Sequence, residues 1–177
     1  MATVAPVSEQ QASARLKPIY DALKQKLGKV PNFFAILAHK PEILETFLPF
    51  YQAVTGPGAL DQRYKELAYL KTSTTNGCEY CSRAHAASAK KIGIKPEEIQ
   101  ALTFYQRSNL FDEKDRAVIQ YADQVTRGAS SVSDTERREL RRFFNDEQIV
   151  ELTAVIAIAN FTNRINDSLP STPDLGE

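Results

Sequence analysis

Apolar residues recur at every third or fourth position along most of this chain, which is the spacing of helices with one buried face. The first such run contains Leu16, Tyr20 and Leu27. It follows a capping-box sequence at Ser8 and ends at Gly28. Similar runs predict further helices that begin near Pro41, Asp61, Cys78, Pro96, Asp112, Ser133 and Asp146. Since no stretch shows the sustained alternation of a β-strand, the pattern predicts an all-α fold.

The pattern shows no internal boundary, so we expect one all-helical domain over residues 1–177. Pro49 lies within the helix that follows Pro41 and is expected to kink it, because proline cannot donate a backbone hydrogen bond. The segment after Leu169 contains two prolines, and we expect residues 170–177 to form a loose tail.

Composition argues against several classes of function. Basic and acidic residues each number 22, so the formal net charge is zero and gives no reason to expect nucleic acid or an anionic membrane as a partner. The longest apolar run, residues 152–161, is shorter than the roughly 18 residues that span a bilayer. The first residues lack the basic and apolar regions of a signal peptide, so we expect a cytoplasmic location.

Both cysteines and one of the two histidines lie in the segment 76–85. On a helix, Cys78, Cys81 and His85 share one face, because steps of three or four residues complete nearly a full turn. An Asn-Gly pair before them signals a helix break and places Cys78 near a helix start. Free amides and the helix dipole favour a thiolate at that position.

Two kinds of chemistry compete for this segment, a redox dithiol and part of a zinc site. A structural zinc ion usually has four ligands, and the segment supplies three, with Glu66 or His39 as candidates for the fourth. Three ligands along one helix form a poor tetrahedral cage. Ligand number and geometry therefore favour redox chemistry, and we predict no metal and no other cofactor.

The spacing also suggests roles for these side chains. His85 lies one turn after Cys81 and could take its proton, which matters because the thiolate is the nucleophile. Cys78 lies one turn before Cys81 and could close a disulfide once Cys81 is oxidised. This favours Cys81 as the attacking thiol, although helix geometry alone allows the reverse. Glu66 is either a solvated carboxylate or, in a helical hairpin, the group that orients His85.

The last predicted helix changes character near its end. Its apolar face gives way to a polar cluster of Asn160, Asn163, Arg164 and Asn166. A cation at a helix C-terminus is favourable, so we interpret the cluster as a helix end, with a contact between subunits as the alternative.

The spacing Glu-x11-Cys-x2-Cys-x3-His resembles the motif of the AhpD-like alkylhydroperoxidase and carboxymuconolactone decarboxylase superfamily. The resemblance is sharpest over residues 60–93, and segments 30–42 and 149–166 are similar to the peroxidase-related branch. It implies an all-helical protein that assembles as a homo-oligomer, often a trimer or hexamer.

The resemblance also implies a peroxidase in which Cys81 attacks the hydroperoxide and Cys78 resolves the product. Glu66 and His85 would form the proton relay. One position departs from the family pattern, because the best-known AhpD proteins have a second histidine where this chain has Tyr80. A phenol with a pKa of about 10 cannot replace an imidazole in proton transfer. We therefore expect a shorter relay or a water molecule in that place.

From these observations we predict a thiol-dependent hydroperoxide reductase that an external dithiol regenerates. One alternative is lactone or decarboxylation chemistry with His85 as the base, but the decarboxylase members of the family generally lack the cysteine pair. The other is a non-catalytic helical oligomer whose cysteines form a structural zinc site or a redox switch.

Overall fold

The structure is a computed structural model that describes residues 4–170 and 172–175, and these residues form helices and no β-strand. The all-α prediction is confirmed. Within the described ranges the α-helices are α1 (Lys17–Leu27), α2 (Asn32–Leu37), α3 (Pro41–Thr55), α4 (Gln62–Asn76), α5 (Glu79–Lys91), α6 (Pro96–Ala101), α7 (Glu113–Gly128), α8 (Asp134–Arg141) and α9 (Asp146–Ser168). Short 3-10 helices cover Leu102–Arg107 and Ala129–Ser131.

Local caps fix the ends of the helices around the cysteine segment. The Asp61 carboxylate accepts a hydrogen bond from the backbone N–H of Arg63 (2.8 Å), which starts α4. α4 ends at Gly77, whose φ of 77° is readily adopted only by glycine. Cys78 then caps α5, which packs against α4 as the predicted hairpin.

The first helix begins later than the capping-box sequence suggests. The backbone N–H of Ser8 donates to the Gln11 side chain (3.1 Å), but this closes only a local turn, and α1 starts at Lys17. Pro18 explains the difference, because proline is tolerated in the first turn of a helix and disrupts its interior. A helix from Ser8 would place Pro18 in that interior.

Proline has a smaller effect in α3, which continues through Pro49 as one helix. The last helix is capped by Asn145 and not by Asp146, because the Asn145 side chain accepts from the Gln148 amide (2.9 Å). α8 begins after Ser133, as predicted, and ends at Arg141.

α4 is the central helix and packs against α5, α7 and α9. Because neighbours cover it on several sides, it is buried from Lys65 to Ser73, including three charged side chains. Those charges need partners inside the protein. Lys65 pairs with Glu151 of α9, and Lys71 pairs with Asp123 of α7 (3.2 Å).

The predicted loose tail includes Ser171, Gly176 and Glu177, which lie outside the described residues. Between them, Thr172 and Asp174 contact α2: the Asn32 side chain donates to the carbonyl oxygen of Thr172 (3.0 Å), and its backbone N–H donates to the Asp174 carboxylate (3.1 Å). None of the helices in the described ranges is long and apolar enough to cross a membrane.

Candidate active site

The two cysteines lie side by side at the start of α5. Both are free and buried, and their sulfur atoms are 2.7 Å apart. The backbone N–H of Cys81 also points to the Cys78 sulfur (3.4 Å), while the backbone N–H of Cys78 donates to the carbonyl oxygen of Ser73 in α4 (2.9 Å). A disulfide requires about 2.05 Å between the sulfurs, so a small closure of the pair suffices to form one.

The surroundings make the two thiols unequal. The pKa of Cys81 is lowered to about 7, first by the hydrogen bond that the Cys78 thiol donates to its sulfur. The amides of Asn163 and Asn166 and the nearby His85 act in the same direction, while burial opposes them. The pKa of Cys78 is raised by its bond to Cys81 and by burial. Cys81 is therefore the thiol that ionises, and Cys78 is the donor that stabilises it.

His85 is held between two polar partners and one aromatic ring. Its Nδ1 lies 2.8 Å from the Glu66 carboxylate, and its Nε2 lies 3.2 Å from the Tyr51 hydroxyl. The ring stacks on Tyr69 with centroids 3.4 Å apart. If Nδ1 carries the proton that Glu66 accepts, Nε2 accepts from Tyr51.

The hairpin thus brings Glu66 to His85, which is one of the two arrangements that the sequence left open. Both ring nitrogens of His85 are bonded, to Glu66 and to Tyr51. Direct transfer of the Cys81 proton to His85, suggested by the i, i+4 spacing, stays a prediction.

A cavity of about 250 Å³ opens beside Cys81. Cys81 contributes to its wall, whereas Cys78 lies behind Cys81, fully buried and outside the lining. Exposed Lys26 and Leu27 stand at the mouth, so the cavity reaches the surface near the end of α1. Its aromatic walls are formed by Phe33, Phe34, Tyr51, Tyr69 and Tyr80.

Two asparagines of the site were not identified from the sequence. Asn163 and Asn166, which the sequence suggests belong to a helix end or a subunit contact, are 1% and 5% exposed and face the cysteine pair from α9. The Asn166 amide donates to the Cys81 sulfur (3.3 Å), and the Asn163 amide donates to the Ser73 hydroxyl (3.1 Å). Their i, i+3 spacing was the available signal, but it does not show which helix they face.

The Tyr80 hydroxyl is bonded away from His85, to the tail and to α2. Its hydroxyl donates to the Asp174 carboxylate (2.7 Å) and accepts from the backbone N–H of Phe33 (3.3 Å). Burial is the main cause that raises the pKa of Tyr80, so the phenol stays protonated. Its role here is to tie α5 to α2 and to the tail.

The structure also bears on the zinc alternative. Across the described residues, no group of three or more histidine, cysteine, aspartate and glutamate side chains is arranged to hold a metal ion. His39, a candidate for the fourth ligand, contacts the carbonyl oxygen of Ala5 instead (2.8 Å). His85 is turned to Glu66 and Tyr51.

Comparison with known proteins places these features in a family. The model of the carboxymuconolactone decarboxylase family matches residues 41–124, which include the glutamate, both cysteines and the histidine of the site. An uncharacterised peroxidase-related protein from Silicibacter sp. TM1040 is 26% identical and superposes with a TM-score of 0.87 over 98% of this chain and 91% of its own. An alkylhydroperoxidase AhpD core from Ralstonia eutropha JMP134 is 26% identical, with a TM-score of 0.84 over 96% and 90% of the two chains.

A third structure with the same fold is that of a debrominase. It is a cysteine-to-alanine variant of the debrominase Bmp8 in complex with 2,3,4-tribromopyrrole, with a TM-score of 0.84 over 98% of this chain and 92% of its own. At 22% identity this likeness concerns the fold alone. The matched family model and the two peroxidase-related structures agree with the Glu-Cys-Cys-His site: residues 41–124 match the carboxymuconolactone decarboxylase family, and the chain has the AhpD-like helical fold.

Proposed function

We propose that this protein is a thiol-dependent hydroperoxide reductase. One observation carries the proposal: of two adjacent thiols, the one on the cavity wall has its pKa lowered to about 7, and the one behind it is the hydrogen-bond donor. A thiolate on a cavity with a second thiol 2.7 Å away is the arrangement that a two-cysteine peroxidase requires.

The reaction follows in two steps. A lone pair of the Cys81 thiolate forms a bond to the terminal oxygen of the hydroperoxide, the O–O bond breaks, and an alkoxide leaves. Cys81 becomes a sulfenic acid. The Cys78 sulfur then attacks the Cys81 sulfur, the S–O bond breaks, and the hydroxyl leaves as water with the proton of the Cys78 thiol.

The alkoxide needs the proton that Cys81 released. Tyr51, His85 and Glu66 form a line of hydrogen bonds, and all three line the cavity, with Tyr51 at the Nε2 end of the imidazole and Glu66 at the Nδ1 end. When His85 is protonated at both ring nitrogens, Tyr51 can pass its proton to the alkoxide and receive one from Nε2, which leaves the imidazole neutral. The pKa of Tyr51 is raised, mainly by burial, so its hydroxyl keeps its proton until an alkoxide is present.

An external dithiol completes the cycle by reducing the disulfide to two thiols while it is itself oxidised. The surface opening beside Lys26 and Leu27 gives such a reductant a route to Cys81. The homo-oligomer and the cytoplasmic location stay predictions.

The rate of Cys81 alkylation by iodoacetamide is expected to rise with pH, with a midpoint at about 7, and to level off above it. The sign follows from the thiolate being the reactive form. In Cys78→Ala the midpoint should move upward, because the largest cause of the lowered pKa is lost. Mass spectrometry identifies the alkylated cysteine, and a midpoint near that of a free thiol in the wild type would contradict the assignment.

His85→Gln is expected to slow hydroperoxide reduction by about 100-fold, because the alkoxide loses its proton source. Alkylation of Cys81 above its titration midpoint should change little, since iodide leaves without a proton. His39→Gln is the matched control, because the second histidine contacts only a backbone carbonyl near the surface. If His85→Gln slows hydroperoxide reduction and alkylation by the same factor, His85 supports the structure and not the proton transfer.

A second candidate is reductive debromination of an aromatic substrate by the same cysteines. The flat aromatic walls of the cavity favour it, together with the fold shared with the debrominase. Two thiols and a carbon–bromine bond would give a disulfide, a carbon–hydrogen bond, bromide and a proton. Release of bromide from 2,3,4-tribromopyrrole, without turnover of hydroperoxides, would favour this candidate.

A further inference from the structure

Asn166 of α9 contacts the Cys81 sulfur directly. It is 5% exposed, lines the cavity, and places its amide nitrogen 3.3 Å from the Cys81 sulfur. The same nitrogen donates to the carbonyl oxygen of Thr162 (3.0 Å). A flipped amide would turn its oxygen towards that carbonyl, so the two contacts fix the orientation of the side chain.

With this orientation, both N–H groups of Asn166 are used and its side-chain oxygen is not. That oxygen is buried and has no hydrogen-bond partner among the described residues. Buried carbonyl oxygens normally accept a hydrogen bond. Asn163, one turn earlier, shows the contrast: its oxygen accepts from Asn76 (2.8 Å) and its nitrogen donates to Ser73 (3.1 Å).

We propose that Asn166 is a further catalytic residue, which donates to the Cys81 thiolate and accepts the O–H of the bound hydroperoxide. The proposal rests on the proposed function. The oxygen that Cys81 attacks is the one that carries the hydrogen, so an acceptor beside the sulfur selects that oxygen and aligns it.

The same contact continues through the first step. As the S–O bond forms and the O–O bond breaks, the hydrogen stays on the transferred oxygen. The sulfenic acid of Cys81 therefore presents to Asn166 the O–H that the hydroperoxide presented. The same side chain therefore stabilises the thiolate, the bound peroxide and the sulfenic acid in turn.

The test compares Asn166→Leu, which keeps the size of the side chain, with Asn166→Ala, which guards against a failure of the larger variant to fold. Asn160→Ala is the matched control, because Asn160 lies on the same helix and bonds to Asn76 and the Ile156 carbonyl without contacting Cys81. Two quantities are measured for each protein. The first is the pH midpoint of Cys81 alkylation, and the second is the rate at which Cys81 reacts with hydrogen peroxide at a pH where it is fully ionised.

Both Asn166 variants are expected to raise the alkylation midpoint by about one pH unit. They should also slow the reaction of the fully ionised thiolate with peroxide by about tenfold, while Asn160→Ala changes neither quantity. The second effect separates a catalytic contact from a merely structural one, because full ionisation removes the influence of the midpoint.

The outcomes distinguish this proposal from the function on which it rests. If the wild-type protein does not reduce hydroperoxides, the proposed function is overturned. The alkylation midpoints of the wild type and the Asn166 variants then still test whether the Asn166 amide donates to the Cys81 thiolate. If the wild-type protein does reduce hydroperoxides, the role of Asn166 alone can be overturned. That result would be Asn166→Leu and Asn166→Ala reacting with peroxide as fast as Asn160→Ala when Cys81 is fully ionised.

Discussion

Cys81→Ser is expected to lower hydroperoxide reduction by a thousandfold or more, roughly the scale of losing a nucleophile. A serine hydroxyl stays protonated at neutral pH, and the hydrogen bond from Cys78 cannot make it an equivalent nucleophile. The measurement is peroxide consumption in the presence of an external dithiol. Near-wild-type consumption in this variant would end the peroxidase proposal.

Cys78→Ser separates the two thiols. The first step can still occur in this variant, but no disulfide can form within the chain, so the Cys81 sulfenic acid is expected to accumulate. Trapping with dimedone and mass spectrometry locate it. The double variant Cys78→Ser/Cys81→Ser serves as the control for trapping elsewhere. Lactone or decarboxylation activity that survives in this double variant would favour the alternative that uses His85 as the base.

Lys65→Met is expected to lower the free energy of unfolding by about 3 kcal/mol. The Lys65 side chain is 2% exposed, and its Nζ donates to Glu151 and to the carbonyl oxygens of Val54 (3.2 Å) and Gly56 (2.5 Å). Methionine fills the same space but leaves these acceptors unpaired. The expected fall in the thermal midpoint is about 6–12 °C for a chain of this size, measured by calorimetry.

Part of the stability lost in Lys65→Met comes from leaving the Glu151 carboxylate without Lys65, and a double variant separates this part. Burial raises the pKa of Glu151, but the bonds from Lys65 and from the backbone N–H of Leu60 outweigh it and lower that pKa. Lys65→Met/Glu151→Gln removes the stranded charge and should recover part of the loss. Arg137→Met breaks an exposed ion pair with Asp134 and should change the midpoint by about 1 °C or less. A loss in Lys65→Met no larger than in Arg137→Met would contradict the prediction.

Much of the helical structure could be predicted because its signals are local. Asp61 and Gly77 bound α4 through contacts within a few residues, and the apolar spacing needs no knowledge of neighbours. The predicted start of α1 was wrong because two local signals compete there. The capping-box sequence favours a start at Ser8, while Pro18 requires a start close to itself. The described tail contacts with Asn32 depend on residues about 140 positions away and left no local signal.

By itself, the sequence determined the spacing of Glu66, Cys78, Cys81 and His85, and with it the resemblance to the family. One-dimensional spacing is enough here because each pair lies on one helix or across one tight hairpin. Only the tertiary structure decided which groups surround that motif. Tyr51 arrives from α3 and Asn166 from α9, and they meet His85 and Cys81 because α9 packs against both α3 and α5. The hydrogen bond between the two cysteines is local, but the asparagine contacts that add to it come from the packing of distant helices, which no local pattern encodes.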